Sequence, residues 1–329
     1  MYKKNIGVAI IGCGLIGHKR AAALGRARLV ICVDTVKSKA ENLAKKYGAE
    51  SSSDWREALA RADVKVVVVS TTNEALASVT KAAVKAGKAV LVEKPAARNV
   101  MEIDSVIKAA RQTGALVRVG FNHRYHPALR RAHAIFKEGK LGELMFVRGR
   151  YGHGGRLGYE KEWRANPALS GGGELIDQGV HLIDLAQWFL GYFTGVAGFV
   201  HTYYWKMPVE DNAFLTLRTL KGQTAFLHAS CTEWKNMFSL EIYGKKAKLQ
   251  VDGLGGSYGL ERLTYYRMLP QMGPPITKVW EYPQPDESWK FEFAEFMDDI
   301  RLKREPSANL NHARSALRIV EKIYKRHQQ

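Results

Sequence analysis

Ile6-Gly-Val-Ala-Ile-Ile-Gly12-Cys-Gly14-Leu-Ile-Gly17 is the stretch on which the fold turns. The apolar run 6–11 has the character of a strand buried on both faces in a parallel sheet. It empties into a turn with the spacing G-x-G-x-x-G, and a helix-compatible segment continues to about Leu24. Glycines in such a turn let the backbone approach a pyrophosphate, which then sits on the helix N-terminus. Leu29–Val33 reads as a second strand that ends in Asp34, 22 residues after Gly12, where a carboxylate can accept both hydroxyls of a ribose. The glycine spacing alone is a weak sign; with strand, helix and acid in place it points to a dinucleotide. Gly12, Gly14, Leu15, Ile16, Gly17 and Asp34 are the expected contacts. Asp34 would repel a 2′-phosphate and is followed by Thr35 rather than arginine, so NAD is expected in preference to NADP, a preference tempered by Lys37 and Lys39.

Outward from this stretch, the pattern repeats. Ser38–Tyr47 predicts a helix stopped by Gly48, Val64–Val69 a strand, Glu74–Ala86 a helix and Ala89–Val92 a strand. Met101–Thr113 predicts a helix capped by Gly114, and Leu116–Val119 a last strand. Strands alternating with helices at this spacing imply a doubly wound parallel sheet with right-handed crossovers. Beyond about residue 123 the pattern changes. Leu144–Tyr151, Phe199–Trp205, Ala213–Leu220, Thr224–Glu233, Ser239–Tyr243 and Leu263–Met268 predict strands, several of them alternating as in an antiparallel sheet with one covered face. One helix, about Gly173–Leu190, precedes most of them, and helices near Trp289–Lys303 and His312–Arg326 close the chain. Pro270–Pro285 reads as a surface loop with an embedded strand. The class is α/β, with a cofactor domain over 1–122 and an α+β domain over 123–329 for substrate and oligomerisation, whose C-terminal helix could pack back on the first.

The 329 residues hold 50 Lys+Arg against 32 Asp+Glu, a net charge of +18. Clustering would be needed for a nucleic-acid groove, and no basic run exceeds three residues. Solvated lysines on helix faces account for most of the excess, and an anionic cofactor or substrate could use the rest. Three scattered cysteines, Cys13, Cys32 and Cys231, suit neither a disulfide scaffold nor a cysteine zinc site and fit a reducing compartment. Lys3-Lys4 before an apolar run superficially resembles a leader, but glycines interrupt the run and His18-Lys-Arg20 stands where a cleavage site would be. The expectation is a soluble, cytoplasmic protein without nucleic-acid or membrane partners.

Two further segments carry chemistry. Glu93-Lys94-Pro95 ends a strand at the carboxyl edge of the sheet, where ligands of open α/β folds bind, and the proline can aim the lysine. Asp177 and His181 lie four apart on the Gly173–Leu190 helix and so project from one face. A histidine of near-neutral pKa suits removal of a hydroxyl proton, and an adjacent carboxylate can orient the alcohol or the imidazole. Taken alone, such a pair is equally a helix-surface pair. Gly171–Gly173 before it allows close approach of a ligand or of another backbone. A metal would need a third ligand, which the spacing does not offer, so none is expected.

The glycine turn with Asp34, Glu93-Lys94-Pro95, Gly120-Phe-Asn-His-Arg-Tyr125 and Gly171-Gly-Gly-Glu-Leu-Ile-Asp177-Gln-Gly-Val-His181 together resemble the Gfo/Idh/MocA oxidoreductases, over essentially the whole chain. The resemblance implies a Rossmann domain, then a domain with a large open sheet often used for oligomerisation, here a homodimer or homotetramer. It implies NAD(P)-linked oxidation of a sugar or cyclitol hydroxyl, with hydride passing to nicotinamide C4. It assigns His181 as base, Asp177 as holder of the substrate hydroxyl and Lys94 as helper or alternative acid/base. Thr71-Thr72-Asn73 stands where relatives carry a Thr-Pro-Asn cofactor turn, with Thr72 in place of the proline. Thr71, Thr72, Asn73, Glu93, Lys94 and Asn122 complete the expected cofactor contacts. Lys94, Arg124, Tyr151, Trp163, Arg164, Asp177 and His181 are the expected substrate contacts, a Trp-Arg pair suiting the stacking face and hydroxyls of a sugar. Basicity makes a phosphorylated or nucleotide-linked sugar attractive, with neutral hexoses and inositols open. Two alternatives come with the family: glycoside hydrolysis through transient oxidation with retained NAD, and a non-catalytic dinucleotide sensor, against which the retained Lys94, Asp177 and His181 argue.

Overall fold

In the computed structural model, which describes residues 6–271 and 273–327, strands and helices alternate from Gly7 to Gly120. Residues 1–5, the lysine-bearing start weighed above as a leader, lie outside the described residues. The first elements are β1 (Gly7–Ile11), α1 (Leu15–Ala22), β2 (Arg28–Val33), α2 (Lys37–Tyr47), β3 (Glu50–Ser52), α3 (Trp55–Ala60) and β4 (Val64–Val69). After them come α4 (Asn73–Lys85), β5 (Ala89–Glu93), α5 (Val100–Thr113) and β6 (Val117–Gly120). The six strands pair in parallel in the order β3-β2-β1-β4-β5-β6. Every residue of β1 is buried and all but Lys65 of β4, as central strands covered on both faces require. The order reverses between β1 and β4, the place where open α/β sheets bind ligands beyond their carboxyl ends. Gly12 follows β1 and Ser70 follows β4, and the Ser70 hydroxyl donates to the Gly12 carbonyl at 2.7 Å. Two elements are short and had no expected counterpart: β3 is three polar residues on the edge, and α3 is six residues capped by Asp54, which accepts the Arg56 N–H.

The rest of the chain forms α6 (Pro127–Lys137), β7 (Leu144–Gly152), a single turn α7 (Pro167–Ser170), then a widened π-turn over Leu175–Gly179 that runs into α8 (Val180–Leu190). Then follow β8 (Phe193–His201), β9 (Asn212–Thr219), β10 (Thr224–Ser230), β11 (Met237–Gly244), β12 (Ala247–Asp252), β13 (Glu261–Arg267), β14 (Ile276–Tyr282), α9 (Ser288–Leu302) and α10 (Leu310–His327). Their sheet has the order β14-β13-β12-β11-β7-β10-β9-β8, antiparallel throughout except where β7 and β10 run parallel. Leu215, Leu227, Val147, Leu240 and Leu249 are buried on one face, with α8 lying close enough that a Cβ on Gly149 would crowd Leu182.

Several expectations need correction. The helix expected over Gly173–Leu190 is a π-turn followed by α8. The strand expected over Phe199–Trp205 is β8, ending at His201, because the N–H groups of Tyr203, Tyr204 and Trp205 turn to the buried Asp211 carboxylate at 2.7–3.0 Å instead of a neighbouring strand. Helix α6 and strand β12 had no expected counterpart, while β14 is the strand embedded in the Pro270–Pro285 loop.

The chain folds as two compact units. One gathers Met1–Phe121, Ala168–Gly171 and Trp289–Leu317; the other holds Asn122–Pro167, Gly172–Ser288 and Arg318–Gln329. A single cut near residue 122 is thus incomplete, because Phe293, Phe296 and Met297 of α9 join Val8, Ile10, Leu43 and Val66 in the core of the first unit.

Candidate active site

In the first unit the three glycines of the turn do three different jobs. Gly12 has φ +97°, and a Cβ there would overlap the Ser70 backbone. A Cβ on Gly17 would overlap the Gly12 carbonyl oxygen, so α1 packs on the turn only with glycine at that position. Gly14, the N-cap of α1, is different: a Cβ there would meet nothing within 4 Å. Open space in front of a helix N-terminus whose first turn carries no acidic residue suits an anion. The Asp34 carboxylate is aimed back at this turn, accepting the Cys13 N–H at 2.8 Å and the Val36 N–H at 2.9 Å. These residues fit a dinucleotide: a cradle for pyrophosphate and a fixed carboxylate for a ribose. Lys37 is drawn toward Glu41 at 3.6 Å, and Leu15 is exposed at the start of α1.

The remaining expected cofactor residues divide. Thr71 and Thr72 lie half-buried between β4 and α4, where the Thr71 hydroxyl donates to the Thr72 carbonyl and that of Thr72 to Glu74. Lys94 follows β5, half-buried and joined to Pro95 by a cis peptide bond. Three side chains expected to contact the cofactor are committed elsewhere. Glu93 is buried and takes the Arg20 guanidinium at 2.6 Å, which also binds Glu292 of α9 at 2.6 Å; charges removed from water need such partners. The Asn73 amide donates to the Ser170 carbonyl at 2.8 Å, and in the second unit that of Asn122 donates to the Ser288 hydroxyl at 2.9 Å.

The second unit builds a cluster around the π-turn. Glu210 sets the turn's start, its carboxylate accepting the N–H groups of Gly173 and Leu175 and the Tyr324 hydroxyl at 2.7–3.1 Å. A Cβ on Gly173 would overlap the Glu210 carbonyl oxygen, so of the two partners expected to approach the glycines closely, this one meets another backbone. Such widened turns concentrate at functional positions. Asp177 lies on the turn and accepts the Arg164 guanidinium at 3.0 Å; that guanidinium lies over the Trp163 ring at 4.7 Å. Asp177, Arg164 and Trp163 are therefore brought together. His181 is buried in the first turn of α8, with Tyr151 6.1 Å away edge-on. Arg124 and Asp184 are both buried and form a two-pronged ion pair at 2.6 and 2.7 Å.

Two side chains that carry no expectation belong to this cluster. His123 stacks on His181 with ring centres 3.8 Å apart and planes 18° from parallel. Glu174 is buried beside the Tyr159 hydroxyl at 2.8 Å, and burial followed by the charge of Asp177 pushes its carboxyl up to about 8. Both lie inside motifs quoted from the sequence, but nothing in their spacing sets them apart from filler. Burial also lowers the imidazole of His153, whose Nε2 is 3.7 Å from Glu174, and raises the phenol of Tyr151 well above its usual range. Among the described residues no group of three or more His, Cys, Asp or Glu is arranged to hold a metal ion, and no helix is long and apolar enough to cross a membrane.

Comparison with known proteins settles the family. Residues 6–121 match the family model described as oxidoreductase family, NAD-binding Rossmann fold, and residues 129–250 match the GFO/IDH/MocA C-terminal domain. The chain belongs to the Gfo/Idh/MocA oxidoreductases. Within this family it is 30% identical over 234 residues to a levoglucosan dehydrogenase of Pseudarthrobacter phenanthrenivorans, covering 67% of this chain and 60% of that protein. It is 30% identical over 188 residues to an inositol 2-dehydrogenase of Salmonella typhimurium, covering 55% and 53%. The matched stretch thus spans just over half the length of these relatives. A solved levoglucosan dehydrogenase in complex with NADH superposes over 98% of both chains with a TM-score of 0.87 at 23% identity, which is a likeness of fold.

Proposed function

We propose that this chain is an NAD-dependent dehydrogenase that oxidises a secondary hydroxyl of a sugar, sugar nucleotide or cyclitol. The observation that carries the reading is the continuous π-turn and helix that hold Asp177 and His181, with Arg164 fixing the first and His123 the second. Bound nicotinamide supplies the hydride acceptor. Asp177, anchored by Arg164, holds the hydroxyl to be oxidised; His181 removes its proton; Lys94 is the second acid/base group. Trp163 offers an apolar face and Arg164 a charged donor to the rest of the sugar. NAD in preference to NADP follows from the aim of Asp34, whose charge opposes a 2′-phosphate, and from the engagement of Lys37 with Glu41. Melting of the protein with NAD and a panel of free hexoses, inositols, phosphorylated sugars and nucleotide sugars tests the reading, since a ligand of the native state raises the melting temperature by mass action. At least one compound is expected to raise it and then to support NADH formation; a panel without a hit would remove the support for a carbohydrate substrate.

We assign the open face of the eight-stranded sheet to contact with a second copy, giving a homodimer or homotetramer. Phe199 and Phe226 are half-exposed there, and Phe199 stacks on Phe214 at 5.0 Å, an aromatic surface of the kind that protein partners cover. Light scattering should find an oligomer that Phe226→Glu dissociates, and a monomeric wild type would end the assignment.

A further inference from the structure

The second unit stacks two imidazoles face to face, and the function proposed above uses only one of them. His123, from the 3-10 turn Asn122–Tyr125, lies on the face of His181 at 3.8 Å. Its edges are boxed by Tyr151 at 4.9 Å, His126 at 5.7 Å and Phe238 at 6.0 Å, all roughly perpendicular to it. Both imidazoles are buried. We propose that His123 is a positioning residue for His181, fixing the plane of its ring and taking the first proton that reaches the pair, so that His181 stays neutral. The role rests on the reading of His181 as the base.

Two imidazoles in van der Waals contact and out of water cannot both be cations cheaply, so once one has taken a proton the other takes its own only at lower pH. Where the first proton goes depends on the charges around the pair. On the His123 side, His126 holds Glu261 at 3.0 Å and has Asp286 3.9 Å away, so any cation there is compensated. Arg124, next in the chain, is matched by Asp184. On the His181 side stand Asp177 of the π-turn, which Arg164 offsets, and Glu174 just before it, whose carboxyl burial pushes up to about 8. The strand β7 adds Tyr151, whose phenol burial keeps neutral, while His228 of β10 lies on the opposite face of the sheet, stacked on Phe214. The acidic groups beside His126 favour a cation at His123. A phenyl ring could supply the stacking but could not take a proton.

The test compares wild type with His123→Phe, which keeps the stack and removes the proton site, and His123→Ala, which removes both. In wild type labelled at histidine carbons, the His181 ring resonances should titrate in two steps; in His123→Phe they should titrate in one, at a midpoint about one unit higher than the lower wild-type step. With an active substrate, His123→Phe should keep kcat within about threefold at the pH optimum while the acid limb of kcat/KM moves up by about one unit, and His123→Ala should lose tenfold or more in kcat. A single His181 titration step in wild type overturns the proposal, and so does an acid limb unmoved or moved down in His123→Phe. The wild-type titration needs no variant to fold. If His181→Asn turned over normally, the base reading would fail instead, and the ring titration would still decide whether the two histidines share a proton.

Discussion

Gly12–Gly17 and Gly171–Gly173 look alike on paper and do opposite work. In the first, the middle glycine faces open space, and the backbone is bared for something that is not protein. In the second, Gly173 is pressed against the Glu210 backbone, and the bareness is used up by the protein itself. One turn makes a ligand cradle. The other lets a buried carboxylate grip the start of a π-turn and thereby places Glu174, Asp177 and His181. A glycine-rich motif therefore says that something comes close; only the surrounding elements say whether it is a ligand or the chain.

Substitution at the two turns should separate these roles. Gly173→Ala is expected to cost about 3 kcal/mol or more in stability, because its Cβ meets backbone that cannot move aside, and urea unfolding would read the loss. Gly14→Ala should leave stability within about 0.5 kcal/mol, since φ at −74° suits alanine and the Cβ meets nothing. It should nonetheless weaken NADH binding about tenfold, or 1.4 kcal/mol, by filling the space kept for the pyrophosphate. A Gly173→Ala protein as stable as wild type, or a Gly14→Ala protein that binds NADH normally, would erase the contrast.

A smaller effect comes from Glu174. Its carboxyl is pushed up to about 8 in the folded chain, from an ordinary value near 4.5. Between these two values the native state binds more protons than the unfolded one, so the contribution of Glu174 to stability falls as the pH rises through that window. Glu174→Gln cannot ionise and escapes the loss. The melting temperature of wild type should therefore drop relative to Glu174→Gln by about 2–4 °C or more between pH 5 and pH 8.5. A difference independent of pH would place the carboxyl in a wetter setting than its burial implies.

Much of the fold was legible because it rests on patterns that secondary structure imposes. Apolar runs such as Val64–Val69 and stop glycines at 48 and 114 mark the parallel sheet, and Asp34 does stand where its carboxylate meets the turn. What escaped has physical causes. Helix α6 begins at Pro127 in a segment rich in histidine and arginine that masks its apolar spacing, although Ala128, Leu129, Ala132 and Ile135 do line one face. Strand β8 ends early because one buried acid, Asp211, takes three successive N–H groups, a long-range capture that no local pattern announces. Pairing is equally hidden: within their own units Arg124 and Glu93 are matched by Asp184 and Arg20, each far away in sequence. His123 becomes visible only once a fold lays it on His181.

His181 is proposed as the base of an NAD-linked oxidation. The most direct test measures NADH formation and NADH affinity side by side for wild type and His181→Asn, with the compound that the melting panel selects. In His181→Asn, kcat is expected to fall by about 10²–10⁴-fold while the Kd for NADH stays within about twofold of wild type. Turnover by His181→Asn at the wild-type rate would contradict it.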